Sequence, residues 1–101
     1  MFDNKTNRYM TSAIAEELHP EIASILWQLI DVKRGLNIEL DYLQVFELTV
    51  SNGKQVIVHR QEVPEMQSLL MKALSDAKPI TRKIWCMDSG ETEMMLFQED
   101  Y

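Results

Sequence analysis

The scarcity of three residue types excludes three kinds of site. The sequence of 101 residues holds one cysteine, two histidines and three glycines. One cysteine cannot form an internal disulfide, and a structural zinc site needs about four Cys or His ligands, more than this chain has. The glycines, at positions 35, 53 and 90, suit a helix cap and two turns, so no glycine-rich loop remains to hold a nucleotide phosphate. We therefore predict no metal, no cofactor and no recognisable catalytic motif.

Basic residues and long apolar runs are also scarce. Ten Lys and Arg residues against 16 Asp and Glu give a net charge of −6. The basic residues are scattered, so no basic stripe is available to displace the counterions of a phosphate backbone. No apolar run approaches the roughly 20 residues that span a bilayer, and the N-terminus lacks the pattern of a secretory signal. We expect a cytoplasmic protein with no direct contact to nucleic acid or membrane.

The most regular pattern is the stretch "HPEIASILWQLIDVKRG", residues 19–35. Pro20 suits the first helical position, where its missing N–H is not needed. Gly35 can adopt the left-handed backbone conformation that commonly ends a helix. Between them, apolar residues recur at spacings of three and four, at Ile22, Ile25, Leu26, Leu29 and Ile30. This spacing predicts one helix over residues 20–34 with a single apolar stripe.

Two hairpins follow from turn residues between apolar runs. Asn52-Gly53 is the preferred pair for a type I′ turn, because both residues tolerate positive φ. The turn predicts a register that pairs Val50 with Gln55, Leu48 with Ile57 and Phe46 with His59, on the face better suited to a core. The runs Ile84–Met87 and Met94–Phe97 flank a second turn-forming cluster.

Two further segments complete the predicted fold. Residues 8–15, "RYMTSAIA", suit a first strand with Met10 and Ile14 pointing inward. Residues 65–76 show helical spacing but leave two readings open, a second helix or a further strand. The sequence therefore predicts a single α+β domain over residues 1–101. Its antiparallel sheet has about four or five strands and is packed by the helix 20–34.

Several phrases resemble a known family. "DYLQVFEL", "HRQEVPE", "KIWCMDSGE" and the terminal "MMLFQEDY", with "WQLID" in the helix, are similar to blocks of domain of unknown function 960. This family consists of small uncharacterised proteins of Gram-positive bacteria. The resemblance extends from about Arg8 to Tyr101. It implies no known activity and no residue roles, and it implies a strand at residues 66–74.

The stretch "WCMDSGETEMM", residues 85–95, is the densest group of candidate reactive residues. A cysteine nucleophile needs a lowered pKa and a nearby base, but Cys86 lies in an apolar run that is typical of a small buried residue. Asp88 and Gly90 favour a turn, whose end Glu91 and Glu93 are expected to keep hydrated. We therefore interpret the group as strand, turn and strand.

Two other side chains have a functional and a structural interpretation. His59 is either a general base or pH switch, or a hydrogen-bonded histidine at the edge of the core, which we favour. Trp27 lies roughly 140° from Ile22 on a helical wheel, at the edge of the apolar stripe near Arg34. Such a tryptophan is either covered by a loop or exposed as a binding anchor.

The last hairpin is apolar on both faces, because successive side chains of a strand alternate. One helix covers one face, so the other face needs a second cover. The segment Met66–Leu74 provides it if it is helical; otherwise the sheet closes on itself or a protein partner covers it. We expect such a partner, either another protein or a second copy in a homodimer. The residues expected to contact it are Trp27, Arg34, Trp85, Met94 and Met95.

The functional prediction is a small, non-enzymatic interaction or regulatory module. The alternative is a small enzyme that uses Cys86 or the acidic turn Asp88–Glu91. A third hypothesis is an accessory protein that touches a DNA-processing partner rather than DNA.

Overall fold

A sheet flanked on one side by helices organises the chain. The computed structural model describes residues 7–101, so the first six residues of the predicted domain lie outside it. The elements in chain order are β1 (Arg8–Met10), α1 (Ser12–Glu17), α2 (Pro20–Gly35), β2 (Leu43–Ser51), β3 (Lys54–Gln61), β4 (Met66–Lys72), β5 (Arg82–Asp88), β6 (Glu93–Phe97) and a 3₁₀ turn (Gln98–Asp100). Within residues 7–101, no helix is both long and apolar enough to cross a membrane.

The strands form one six-stranded sheet in the order β1-β6-β5-β2-β3-β4. Neighbours are antiparallel except β1 and β6, which are parallel. The α+β class is therefore confirmed, whereas the count of about four or five strands and the wholly antiparallel sheet are wrong. The parallel pair is possible because β1 and β6 are separated by both helices and four strands, so no tight turn requires them to run antiparallel.

The predicted strand over residues 8–15 is wrong beyond its first three residues. Thr11 ends β1 and caps α1, since its Oγ1 accepts a hydrogen bond from the backbone N–H of Ile14 at 3.2 Å. Ile14 is fully buried as expected, but Met10 is exposed. A spacing of four residues fits one face of a strand and one face of a helix equally well, which explains the error.

Helix α2 confirms the prediction over residues 20–34. His19 caps it, because its Nδ1 accepts a hydrogen bond from the backbone N–H of Glu21 at 3.0 Å. The expectation for Gly35 is wrong: Gly35 is the last helical residue, and the left-handed conformation falls on Asn37, with φ of 60°. Asparagine tolerates this region because its short polar side chain bonds locally.

Both hairpins confirm the sequence prediction. Asn52 and Gly53 have φ of 51° and 74°, as a type I′ turn requires. The observed register pairs Val50 with Gln55, Leu48 with Ile57 and Phe46 with His59. Strands β5 and β6 pair around the second turn, where Gly90 has φ of 101°.

The ambiguous segment 65–76 contains a strand, β4, in agreement with the family resemblance. Its seven residues pair with β3 in continuous register, from Gln61 with Met66 to Gln55 with Lys72. The edge of β3 offers unpaired backbone groups, and pairing with them outweighs the weak helical preference of the segment.

Both helices pack on the same face of the sheet, which we call the covered face. Ile22, Leu26 and Ile30 of α2 are buried there, together with Ile14 of α1. The sheet contributes alternate residues to this core, namely Phe46, Leu48, Ile57, Ile84, Cys86, Met95 and Phe97.

One carboxylate fastens the irregular chain after β4 to the start of α2. The two Glu21 carboxylate oxygens accept hydrogen bonds from the backbone N–H groups of Ser75 at 2.7 Å, Ala77 at 2.9 Å and Asp76 at 2.9 Å. These three bonds lower the pKa of Glu21 to about 2, because they favour the charged carboxylate.

We expect Glu21→Gln to lower the urea midpoint of unfolding at pH 7. The native pKa lies below the unfolded one, so the stabilisation is present above about pH 4.5 and is lost as the pH falls towards 2. The difference between the two proteins should therefore shrink in urea titrations at pH 7, 4 and 2.5. Glu16→Gln, at an exposed position of α1, is the control. A difference that stays constant over this range would contradict the assignment.

Candidate functional site

The face of the sheet that points away from both helices is mostly apolar. Because side chains alternate along a strand, the residues between those of the covered face lie here. We call this surface the open face. Its apolar residues are Tyr9, Leu43, Val45, Val56, Val58, Leu69, Met71, Trp85, Met87, Met94 and Leu96.

The strand register makes the open face continuous. One row crosses four strands, from Tyr9 through Met94 and Met87 to Leu43. A neighbouring row runs from Leu96 through Trp85 to Val45. Side chains at directly opposed positions have Cβ atoms roughly 4.5–5.5 Å apart, so the members of each row are in contact range.

The open face is covered in part by the C-terminus, where the rings of Trp85 and Tyr101 lie with centroids 5.2 Å apart. The buried core cluster draws its sheet residues from the covered face alone. On the open face, Tyr9 is 49% exposed, Leu69 66% and Met71 48%, all on the two edge strands, whereas the apolar residues between them are half-buried or buried. Apolar side chains that stay exposed next to one another usually mark an interaction site.

Two charged residues of the open face form an ion pair with each other. Arg60 Nε lies 2.9 Å from Glu47 Oε1 in a partly exposed ion pair between β3 and β2. Paired charges beside an apolar patch form a polar rim of the kind found at protein interfaces.

The five residues expected to contact a partner are not on one surface. Trp85 and Met94 are half-buried on the open face, whereas Trp27 and Arg34 belong to α2 on the opposite side of the sheet. Met95 is fully buried on the covered face, so its assignment to a contact surface is wrong. Met94 and Met95 are adjacent, and alternation sends only one of them outward.

Trp27 is covered in part by an arginine rather than by a loop. The guanidinium carbon of Arg8 lies 4.5 Å from the centre of the Trp27 ring. Arg8 also forms ion pairs with Asp31 and with Glu93, whose Oε1 is 2.8 Å from Arg8 Nε. Its hydrogen bond to Asp31 raises the pKa of the Arg8 guanidinium further. Arg34 pairs with the same Asp31 at 3.1 Å, so this end of α2 is held by charge.

Glu93 does not keep the turn hydrated, contrary to the sequence prediction. It is fully buried, because it lies two residues before Met95 and four before Phe97 and therefore shares the covered face with them. Arg8 binds one of its oxygens, while the other, Oε2, has no hydrogen-bond partner among the described residues. The Arg8 charge therefore offsets the burial of a carboxylate, and β1 is tied to β6 through this pair.

The residues around Cys86 have structural partners. Cys86 is fully buried, and burial raises the pKa of its thiol, which opposes thiolate formation. Asp88 Oδ1 accepts a hydrogen bond from the backbone N–H of Gly90 at 2.8 Å, as predicted for the turn. The backbone N–H of Ser89 donates to the carbonyl of Thr92 at 2.9 Å.

The surface clefts of the described chain lie away from the candidate reactive residues Cys86 and His59. Two surface clefts of about 370 and 400 Å³ lie at residues 82–83 and 98–99, and at residues 60–67. Neither is lined by Cys86 or His59. In the part of the chain that the structure describes, no three His, Cys, Asp or Glu side chains are grouped to hold a metal ion.

A buried polar network lies where α2 ends above β3 and β4. Lys33 Nζ is 2.6 Å from His59 Nδ1 and 2.6 Å from Ser68 Oγ. Because the ammonium group donates to Nδ1, the proton of the neutral ring lies on Nε2, which donates to Gln44 Oε1 at 2.6 Å. Gln44 Nε2 then donates to Gln61 Oε1 at 2.8 Å. We call these five side chains the polar network.

The polar network keeps His59 neutral. His59 is 1% exposed and its ring stacks on Phe46 with centroids 4.3 Å apart. Burial, and the charge of Lys33 beside it, lower the pKa of His59 to about 3. Burial also lowers the pKa of Lys33. His59 is thus a hydrogen-bonded histidine, as favoured from the sequence, but it lies within the core rather than at its edge.

Sequence reasoning missed most of the polar network, although a signal was present. Lys33 follows Ile30 by three residues and Leu26 by seven, which places it on the apolar stripe of α2. Gln44 and Gln61 each stand two residues from a buried position of the covered face. A polar residue on an apolar stripe indicates either that it has a buried hydrogen-bond partner or that the buried face has been assigned wrongly.

Comparisons with known proteins match the chain to a family and a solved structure of unknown function. A family model described as Staphylococcal protein of unknown function (DUF960) matches residues 7–100. A crystal structure of a protein of unknown function from Enterococcus faecalis is similar over 99% of this chain and 94% of its own, with 25% sequence identity and a TM-score of 0.82. No curated protein matches. The family resemblance is confirmed, and neither match names an activity.

We expect His59→Gln to remove a pH dependence of stability. The native pKa lies below the unfolded value near 6.5, so stability is full above pH 6.5 and falls as acid protonates the unfolded chain first. Between pH 7 and pH 5 the buried His59 should lower the free energy of unfolding of the wild type by about 2 kcal/mol. Urea unfolding at both pH values measures this decrease in stability. The control variant His19→Gln should show the same decrease as the wild type. An equal loss in His59→Gln would contradict the assignment.

We expect the Cys86 thiol to react with a disulfide reagent at neutral pH only after the chain opens. Labelling of the native protein should be at least about a hundredfold slower than labelling in denaturant, because the side chain is fully buried. Absorbance of the released thiol reports the rate, and the unfolded chain is the internal reference. Stoichiometric labelling of the native protein within minutes would favour the enzyme hypothesis instead.

Proposed function

This chain belongs to the family of Staphylococcal proteins of unknown function (DUF960), and we propose that it is a non-enzymatic protein-interaction module whose open face binds another protein chain. The observation that carries the proposal is the continuous row of apolar side chains on a sheet face that no helix of residues 7–101 covers. We place this role in the cytoplasm, where a single cysteine stays reduced.

The chemistry of the open face suits an apolar partner surface. Met87, Met94 and Met71 offer unbranched, polarisable side chains that adapt to irregular surfaces. Trp85 lies in the middle of the face, and a half-buried tryptophan is a frequent anchor of binding energy. Tyr101, which packs on Trp85, is itself 78% exposed.

The enzyme alternative has less support. A nucleophile needs solvent access and a base, while Cys86 is fully buried and its pKa is raised. In the acidic turn Asp88–Glu91, the Asp88 carboxylate accepts a hydrogen bond from the backbone N–H of Gly90. His59 is engaged on both ring nitrogens inside the core. These groups stabilise the fold, which leaves the open face as the surface with unused binding capacity.

A photo-crosslinking residue at Met94 tests the proposal in cells of the native host. We expect discrete crosslinked species that contain this chain and a partner. Met87→Glu on the same variant should weaken the crosslink at least about tenfold, because the complex would then bury an unpaired carboxylate. The partner is identified by mass spectrometry of the crosslinked band.

The matched control carries the same crosslinker at Val32, an exposed position of α2 on the opposite side of the sheet. Far-UV circular dichroism of the Met87→Glu variant verifies that its fold is intact. Crosslinks of equal yield from Val32, or crosslinks from Met94 that Met87→Glu does not change, would overturn the proposal.

A further inference from the structure

Lys33 is a buried cation without a counter-charge in the part of the chain that the structure describes. It is 8% exposed, and its ammonium group donates to His59 Nδ1 and to Ser68 Oγ, each at 2.6 Å. Both acceptors are neutral. Burial lowers the pKa of Lys33, and no carboxylate of residues 7–101 raises it again. Buried ammonium groups are usually paired with an anion, because neutral acceptors offset only part of the lost hydration.

Two hydrogen-bond donors at this position have no acceptor among the described residues. An ammonium group carries three hydrogens, and the contacts with His59 and Ser68 use two of them. The Ser68 hydroxyl accepts from Lys33, so its own hydrogen is still available to donate. Because Lys33 Nζ and Ser68 Oγ are 2.6 Å apart, one small group can accept a hydrogen bond from each of them.

The fold holds these two donors at the margin of the core. Lys33 comes from the last turn of α2, and Ser68 lies in β4, directly opposite His59 of β3. His59 Nε2 is 2.6 Å from Gln44 Oε1, which fixes the ring that orients the ammonium group. Ser68 is partly exposed on the edge strand, whereas His59 is fully buried. The end of a small ligand therefore reaches the pair from the side of Ser68.

We propose that Lys33 and Ser68 bind the carboxylate group of a ligand. A carboxylate has one negative charge and two acceptor oxygens, which match one ammonium charge and two donors. A phosphate dianion brings a second charge and a third oxygen, for which the described residues offer no donor at this position. This site does not depend on the proposed function, because it lies on the covered face beside α2 and not on the open face.

Acetate titrated into the full chain at pH 7, with chloride adjusted to hold the ionic strength constant, tests the site. We expect saturable shifts of the backbone amide signals of His59 and Ser68 in ¹H–¹⁵N NMR spectra. The Kd should be on the order of 1 mM, as suits a few charge-assisted hydrogen bonds. Inorganic phosphate should bind at least about tenfold more weakly. Shifts that do not saturate with acetate, or phosphate binding as tight as that of acetate, would overturn the assignment.

Substitutions at the two donors locate the binding. Lys33→Met removes the charge but keeps an unbranched side chain on the apolar stripe, and it should lower the acetate affinity at least about tenfold. Ser68→Ala should lower the affinity about threefold, whereas Ser68→Thr keeps the hydroxyl and should retain it. Lys72→Met, the matched control, removes an exposed lysine of the same strand and should change the affinity less than about twofold.

Circular dichroism verifies the fold of each variant. Unchanged affinity in a folded Lys33→Met variant contradicts the proposal. If that variant does not fold, the two Ser68 variants decide, and equal affinities of Ser68→Ala and Ser68→Thr contradict it. Neither result affects the crosslinks expected from Met94, so this site and the proposed function fail separately.

A second titration identifies the source of the carboxylate, which is either a free small acid or an acidic side chain of another protein. Glutamate blocked by an acetyl group and an N-methylamide carries the side-chain carboxylate alone. Tighter binding of acetate than of blocked glutamate assigns the site to a free acid. Equal or tighter binding of blocked glutamate assigns it to an acidic side chain. Loss of both signals in Lys33→Met is expected in either case, and binding that persists there would contradict the site.

Discussion

The packing of the α2 stripe against one face of the sheet is the contact on which the rest of the structure depends. Ile22, Leu26 and Ile30 have almost no exposed surface, and they belong to the same core as Phe46 of β2 and Ile57 of β3. Burying such side chains contributes roughly 1.5–3 kcal/mol each, which is large beside the marginal stability of a domain of this size. Which side chains of each strand are buried follows from which face the helix covers.

Covering one face determines the other. Side chains alternate along each strand, so the choice that buries Cys86 and Met95 also sends Trp85 and Met94 outward. In most antiparallel sheets the outward positions are polar, whereas here β5 and β6 place apolar residues on both faces. The apolar open face therefore follows from the apolar runs of β5 and β6, and the fold decides which of their residues it contains. The buried cysteine follows from the same alternation and is not evidence of catalysis.

The polar network shows what happens where the apolar stripe of α2 ends. Lys33 continues the stripe, but its ammonium group reaches His59 and Ser68 instead of a carboxylate. The side-chain nitrogens of Lys33, Gln44 and Gln61 each have two hydrogen-bond partners, which limits the loss of stability that burying polar groups causes. Arg8 and Glu93 solve a similar problem at the other edge, where a fully buried carboxylate is held by one arginine. These two clusters connect the edge strands to the helix layer.

Local patterns in the sequence determined α2, both hairpins and the register at Phe46 and His59, because caps, turn residues and periodicity act over a few neighbouring positions. The family followed from phrases of the sequence as well. Only the tertiary structure decided that residues 66–72 form a strand, that Met95 is buried beside an outward Met94, and that Glu93 pairs with Arg8. Each of these outcomes depends on which strand lies alongside and which face the helix covers. Those contacts join residues far apart in the chain, and no local pattern carries that information.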